Sequence, residues 1–162
     1  MLETKGLNYA NLPKGCIKFH NYPDDARTAF EEHLVEGINY AEDKNKRANI
    51  HFTISPEHEE TIKYLINRIR TKYKKDGWQL NVGFSFQSTS TNTIAATLDN
   101  KPFRDNNGKL VFRPAGHGAL LKNLNELGGD IIMIKNIDNV VPDHIKGETY
   151  KYKKVLGGYL VE

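Results

Sequence analysis

The sequence predicts an α/β fold in which an open, doubly wound and mostly parallel sheet carries helices on both faces. Helical and strand periodicities alternate along the chain, a strand–helix–strand unit spans residues 49–86, and four apolar residues stand in a row at residues 131–134. Such an uninterrupted run is typical of a central strand that is buried on both faces. We therefore expect residues 130–135 to form the middle of the sheet.

The first helix is predicted by a capping box at residues 28–31, in which Thr28 accepts from the first turn and Glu31 reaches back. Apolar side chains at Phe30, Leu34 and Ile38 then recur every three or four residues. This spacing defines one buried helix face.

The same helix carries acids and a histidine: Glu31, Glu32, His33 and Glu36. They lack the His-Glu-x-x-His spacing that places two imidazoles on one face for zinc. An amphipathic helix turns its charged side chains to water. We therefore expect a solvated face here rather than a metal site.

The middle of the chain predicts a βαβ unit. Residues 49–54 alternate and are rich in β-branched side chains, which favours a strand. Ser55-Pro56-Glu57 is a strong helix start, Gly77 ends that helix, and residues 78–86 form the next strand. This order implies parallel pairing with a right-handed crossover.

A β excursion and a third helix are predicted next. Residues 93–98 and 110–112 form a short strand pair, joined across a turn at residues 105–108 whose residue types tolerate positive φ. The third helix covers residues 118–127 and ends at Gly128.

Composition limits the class of protein. The 162 residues suit one domain, and 38% hydrophobic with 27% charged residues describe a globular chain without a membrane span. A net charge of +3 is not the clustered basic excess that nucleic-acid binding requires. One cysteine, Cys16, excludes an intramolecular disulfide within these residues, and we expect residues 1–10 not to be a signal peptide, because they lack a basic start followed by an apolar run. We expect a single cytoplasmic domain that binds neither nucleic acid nor membrane.

Three polar segments follow predicted strands, where doubly wound sheets bind their ligands: residues 86–90, 113–118 and 136–139. In the second segment, Gly116 and Gly118 flank His117 at a helix start, so a ligand could approach bare backbone N–H groups. A plain strand-to-helix turn with a surface histidine explains the same residues. Spacing alone does not decide between these two interpretations.

Residues 136–139, Asn-Ile-Asp-Asn, place two amides and one carboxylate after the predicted central strand. Asp138 suits a hard cation such as Mg²⁺, held by one carboxylate together with ligand phosphates. An Asx turn that ends a strand is the alternative interpretation.

Four segments, in this order, resemble the UDP-sugar pyrophosphorylases, the nucleotidyltransferases that join a nucleoside triphosphate to a sugar 1-phosphate. They are Leu12-Pro13-Lys14-Gly15, Gln87 after a strand, Pro114-Ala115-Gly116-His117-Gly118, and Asn136-Ile137-Asp138-Asn139. Residues 12–19, 31–40 and 112–141 are more similar still to an uncharacterised domain-of-unknown-function family of larger proteins. The resemblance covers nearly the whole chain, from Leu12 to about Asp143.

The resemblance implies a Rossmann-like fold of the nucleotide-diphospho-sugar transferase type, with Mg²⁺ as cofactor. Lys14 would contact the triphosphate, and Asp138 would lie near Mg²⁺ and the α-phosphate, as the catalytic residues. The nucleotide-binding residues would be Gln87, Gly116, His117, Gly118, Asn136 and Asn139. The sugar phosphate would attack the α-phosphorus in line and release pyrophosphate, and UTP is the expected triphosphate.

Two differences from those enzymes bear on activity. They carry a glycine-rich loop with an arginine before the Pro-Lys element, whereas residues 1–11 hold one glycine, Gly6, and no arginine. They also continue past the Asn-x-Asp-Asn segment into sugar-binding residues. We therefore expect an incomplete nucleotidyltransferase-like core that is inactive alone. The alternatives are a non-catalytic nucleotide-sugar-binding domain and a structural or interaction domain, and an exposed sheet edge would allow self-association.

Overall fold

The computed structural model describes residue 6, residues 8–74 and residues 77–162. The chain divides into two compact units. The larger unit comprises Met1–His51, Glu57–Gly83 and Ile131–Glu162, and the smaller unit comprises Phe52–Pro56 and Phe84–Asp130.

Helices and strands alternate along the described residues, which confirms the mixed α/β class. The strands are β1 (Lys18–Asn21), β2 (Ala26–Thr28), β3 (Arg47–Ile54), β4 (Gln79–Phe86), β5 (Thr93–Ile94) and β6 (Phe112–Arg113). The helices are α1 (Ala29–Tyr40), α2 (Glu59–Lys74), α3 (Leu121–Asn125) and α4 (Lys146–Val161). Short 3₁₀ turns include Lys14–Cys16, Pro56–His58, His117–Leu120 and Asp143–Ile145.

The described strands form three two-stranded sheets rather than one open sheet. β1 pairs with β2 and β5 pairs with β6, both antiparallel. β3 and β4 run parallel, because the side-chain contacts Asn49–Asn81 and Thr53–Ser85 have the same offset of 32 residues. The parallel β3–α2–β4 unit is as predicted, whereas the described strands do not form the predicted doubly wound sheet.

The prediction of a central strand at residues 130–135 is wrong. No strand is assigned there, and Ile131, Ile132 and Ile134 remain 43%, 37% and 65% exposed. An apolar run is buried on both faces only where strands flank it and helices cover it. In the described part of the chain no strand pairs with this segment, so its side chains stay open.

α1 and α2 supply most of the core of the larger unit. The predicted apolar positions of α1, Phe30, Leu34 and Ile38, are at most 3% exposed. Thr28 Oγ1 accepts from the Glu31 N–H at 3.3 Å, which confirms the predicted N-cap. On α2, the buried side chains are Ile62, Ile66 and Ile69.

Three predicted glycine turns behave as their residue type predicts. Gly77, Gly108 and Gly128 have φ of 81°, 74° and 62°, a region that favours glycine. The third helix is shorter than predicted, because the 3₁₀ turn His117–Leu120 takes up its first residues. Among the described residues, no helix combines the length and the apolar character needed to cross a bilayer.

Candidate functional site

The turn that carries Lys14 is fixed against α1. Gly15 is buried beside the ring of Phe30, and a Cβ at Gly15 would lie 2.3 Å from Phe30 Cε2. Phe30 is 3% exposed, so close packing leaves its ring little space to move away. Glycine is therefore required at residue 15, and the adjacent Lys14 is held at the surface with its side chain 66% exposed.

The segment that carries Asp138 is fixed on the same helix. His33 Nε2 donates a hydrogen bond to the carbonyl oxygen of Ile137 at 2.9 Å, and Lys135 Nζ binds the buried carboxylate of Glu36. Burial lowers the pKa of His33 below its ordinary value, although the hydrogen bond to Ile137 opposes this effect. The neutral ring therefore donates to the turn at neutral pH.

Lys14 and Asp138 meet although 124 residues separate them in sequence. Lys14 Nζ lies 2.8 Å from Asp138 Oδ2, and the two side chains are 66% and 47% exposed. An ion pair this exposed contributes little to stability, because water screens it. The contact is explained instead by the two attachments to α1, at Phe30 and at His33.

Asn136 and Asn139 form the turn around Asp138. The N–H of Asn139 donates to the carbonyl oxygen of Asn136 at 3.1 Å, and both side chains are exposed. They line an open cavity of about 410 Å³ together with Lys135 and Lys153. Ile134, Tyr152 and Leu156 line the same cavity, and the Lys135 ammonium on its wall is already paired with Glu36, so the cavity is of mixed polarity.

Asp138 offers the oxygen chemistry that Mg²⁺ prefers, but it offers one carboxylate. In the described part of the chain, no group of three or more histidine, cysteine or acidic side chains could hold a metal ion. Mg²⁺ is usually bound by one or two carboxylates together with substrate phosphates and water. The residues therefore fit Mg²⁺ that arrives with a phosphate ligand, and they do not form a metal cage of their own.

The prediction of a solvated acidic face on α1 is wrong. Glu31, Glu32, His33 and Glu36 are 6%, 0%, 8% and 0% exposed. Lysines from distant parts of the larger unit cover the acids: Lys72 on Glu31, Lys146 on Glu32 and Lys135 on Glu36. A charged face is buried when complementary charges pair with it. The periodicity of a helix in the sequence gives no information about lysine partners that lie so far along the chain.

Glu32 is the centre of a buried network. Its Oε2 accepts from Lys146 Nζ at 2.5 Å, and its Oε1 accepts from Tyr22 OH at 2.7 Å and lies 2.8 Å from His20 Nδ1. Burial raises the pKa of Glu32, but the hydrogen bonds from Lys146, Tyr22 and His20 outweigh it and hold this pKa below its ordinary value. The network attaches β1 and the start of α4 to α1, so its role is structural.

The remaining predicted residues, Gln87 and the Gly116-His117-Gly118 segment, belong to the smaller unit. Gln87 Nε2 donates to Thr91 Oγ1 at 3.1 Å. His117 is exposed at the first position of its 3₁₀ turn. A Cβ at Gly116 or at Gly118 would meet nothing within 4 Å, and neither residue has a positive φ. Packing and backbone conformation therefore do not explain these two glycines.

The structure divides the predicted site residues between the two units. The larger unit brings Lys14 together with Asn136, Asp138 and Asn139, and it supports them through residues that the sequence analysis did not select. The supporting residues are Phe30, His33, Glu36 and Lys135. The available signal is the pair His33 and Glu36, three positions apart on one helix, but an amphipathic pattern alone predicts that such polar side chains face water.

Comparison with known proteins identifies a family. Residues 1–162 match the family described as Domain of unknown function (DUF4301), and the chain belongs to it. No curated protein matches the chain, and no solved structure matches it. The predicted resemblance to an uncharacterised family is thereby confirmed. The resemblance to UDP-sugar pyrophosphorylases has no support from these comparisons and depends on the four matched segments.

Proposed function

We propose that this chain is a nucleotidyltransferase-like domain in which Lys14 and Asp138 bind the phosphates of a nucleoside triphosphate together with Mg²⁺. UTP is the expected nucleotide, and a sugar 1-phosphate is the expected second substrate. The 2.8 Å contact between Lys14 and Asp138 carries the proposal. The resemblance assigns the triphosphate to Lys14 and the metal to Asp138. No pattern among neighbouring residues in the sequence requires these two side chains to meet.

The chemistry of the pair supports this function. Lys14 is a compact ammonium on a flexible stem, which suits a phosphate as a point charge with several donors. Because the pair is exposed, little free energy is lost when a phosphate takes the place of the carboxylate beside Lys14. Asp138 offers a carboxylate oxygen to a cation, and Mg²⁺, when bound, supplies charge neutralisation at the phosphates.

The resemblance assigns the nucleoside to residues of the smaller unit. Gly116 and Gly118 have open space where a Cβ would stand. A ligand that lies against bare backbone is a physical reason for glycine at such positions. Gln87 has an amide group that suits the polar edge of a base, and His117 offers an exposed imidazole beside the same glycines.

Positioning and charge neutralisation are sufficient for this reaction, so no covalent protein intermediate is required. Lys14 would hold the triphosphate in place. The turn at residues 136–139 would hold Asp138, the charge partner of Lys14, in position. The chain by itself is proposed to bind nucleotide without turnover. A non-catalytic nucleotide-sugar-binding domain is the alternative within the same site.

The test is thermal unfolding with UTP and the other triphosphates, each with and without Mg²⁺. A ligand at one hundred times its dissociation constant adds about 2.7 kcal/mol to stability, which is several degrees for a domain of this size. We expect Lys14→Met to weaken binding, and Asp138→Asn to remove its dependence on Mg²⁺. The matched control is Lys101→Met, which breaks an exposed 3.0 Å pair with Asp99 in the smaller unit.

The outcomes separate the hypotheses. No stabilisation by any triphosphate, or an equal loss in Lys101→Met, would count against a nucleotide site at the Lys14–Asp138 pair. Binding that ignores both Mg²⁺ and Asp138→Asn would favour the non-catalytic alternative. Mg²⁺-dependent and base-selective stabilisation, lost in Asp138→Asn, supports the proposal.

A further inference from the structure

Residues 131–134 and α4 present an exposed apolar surface within the larger unit, which we call the α4 face. Its side chains are between 37% and 81% exposed: Ile131, Ile132, Ile134, Tyr152, Val155, Leu156 and Tyr159. Ile134, Tyr152 and Leu156 line the same open cavity, and Met133 packs beside Gly157. The segment therefore runs along α4, where Ile134 meets Tyr152 and Leu156, and the spacing of Tyr152, Val155, Leu156 and Tyr159 places those four on one face of the helix.

The 131–135 segment has the properties of an unpaired strand edge. From Ile132 to Asn136 the side chains alternate between exposed and half-buried, which is the period of an extended chain. Within the described residues, no backbone hydrogen bond involves residues 131–135. Unpaired N–H and C=O groups beside β-branched side chains form a template for another strand.

The size of the α4 face indicates its occupant. The exposed parts of its seven side chains amount to roughly 800 Å², which is on the scale of one partner's share of a standard protein interface. Monomeric proteins rarely expose a continuous apolar patch of this extent. Lys135, which borders the strand edge, is already paired with Glu36, and the ammonium of Lys153, which lines the same cavity, lies over the ring of Tyr40 on α1.

We propose that a second copy of this chain covers the α4 face. In a two-fold contact each patch meets itself, and residues 131–135 of the two copies pair as antiparallel strands. The α4 side chains then bury against their equivalents. Strand pairing satisfies the open backbone groups, which apolar packing alone would leave without partners.

Sedimentation velocity over about 1 μM to 1 mM tests the proposal, since interfaces of this size reach micromolar or tighter affinity. We expect a dimer that Ile134→Lys and Leu156→Glu each weaken by about tenfold or more. Both side chains are exposed, so the substitutions do not disturb the core. The matched control is Leu98→Lys, at a fully exposed leucine of the smaller unit, and it should leave the dimer unchanged.

Hydrogen exchange of the unsubstituted chain gives a second measurement. The amides of residues 131–135 should exchange more slowly at high than at low protein concentration. A monomer throughout the concentration range would overturn the proposal. So would a dimer that Leu98→Lys weakens as much as Ile134→Lys and Leu156→Glu do, or a dimer in which the amides of residues 131–135 are not protected. No nucleotide is present in either experiment, so the result is independent of the Lys14–Asp138 site.

Discussion

Lys146 Nζ lies 2.5 Å from Glu32 Oε2, and the two side chains are 1% and 0% exposed. The Lys14–Asp138 pair has a similar length of 2.8 Å but lies largely in water. Breaking the two pairs should therefore cost very different amounts of folding free energy. A buried charge that loses its partner remains desolvated, whereas an exposed charge is taken over by water.

Lys146→Met should destabilise the folded chain by about 3–5 kcal/mol, because Glu32 would remain buried without its ammonium partner. Lys14→Met should change the free energy of unfolding by less than about 1 kcal/mol. Urea unfolding of both variants measures the difference. Equal effects of the two substitutions would contradict the assignment of a structural and a ligand-accessible pair.

Stability should fall on acidification below about pH 5, in part through Glu32 and Asp143. Burial raises the pKa of each carboxyl, but hydrogen bonds, mainly from Lys146 to Glu32 and from Arg27 to Asp143, hold each pKa below its ordinary value. As the pH falls, these carboxylates are therefore protonated in the unfolded chain before they are protonated in the folded chain. Stability is lost as the pH falls through their pKa values in the folded state.

The urea midpoint as a function of pH measures this loss. Glu32→Gln should flatten the acid limb of the curve. Glu148→Gln is the control, because that carboxylate is exposed and lies 3.8 Å from Lys151. An acid limb that is equally steep in Glu32→Gln would exclude Glu32 as a source of the pH dependence.

His33 should titrate below its ordinary pKa of 6.5, because burial disfavours the imidazolium. Stability should therefore decrease on acidification. The neutral ring stabilises the fold above about pH 6.5, and this contribution is lost as the pH falls through the lower pKa of His33 in the folded state. NMR titration of the His33 ring measures the midpoint, and a midpoint above 6.5 would contradict the prediction. His33→Ala should also loosen the Ile137 turn and weaken nucleotide binding.

Gly15→Ala should destabilise the chain by about 1–3 kcal/mol, because the added Cβ overlaps the buried ring of Phe30. Gly118→Ala should change stability by less than about 0.5 kcal/mol, since its Cβ meets open space. Thermal unfolding compares them. If Gly118→Ala keeps stability but loses nucleotide binding, bare backbone at residue 118 is required by the ligand.

Local signals predicted the parts of the fold that depend on neighbours in sequence. A few neighbouring residues decide the Thr28 cap, the Phe30–Leu34–Ile38 stripe and the glycine turns. The sequence pattern was therefore sufficient to predict them. The parallel β3–α2–β4 unit was also predicted, because strand and helix periodicities follow one another directly.

Partners far along the chain could not be predicted. The burial of Glu32 and Glu36 depends on Lys146 and Lys135, about one hundred positions away. The exposure of residues 131–134 depends on which strands lie beside them, and an apolar run does not contain that information. In the candidate site, the resemblance selected Lys14 and Asp138, but only the structure reveals His33 as the support.

The attachment of Lys14 and Asp138 to the same helix has a mechanical consequence. Gly15 rests on Phe30 and Ile137 on His33, and these two residues lie within one turn of α1. A displacement of that turn carries the ammonium and the carboxylate in the same direction. Their separation is therefore less sensitive to local motion of the fold than the position of either group, which would keep the proposed phosphate-binding ammonium and cation-binding carboxylate at a constant spacing.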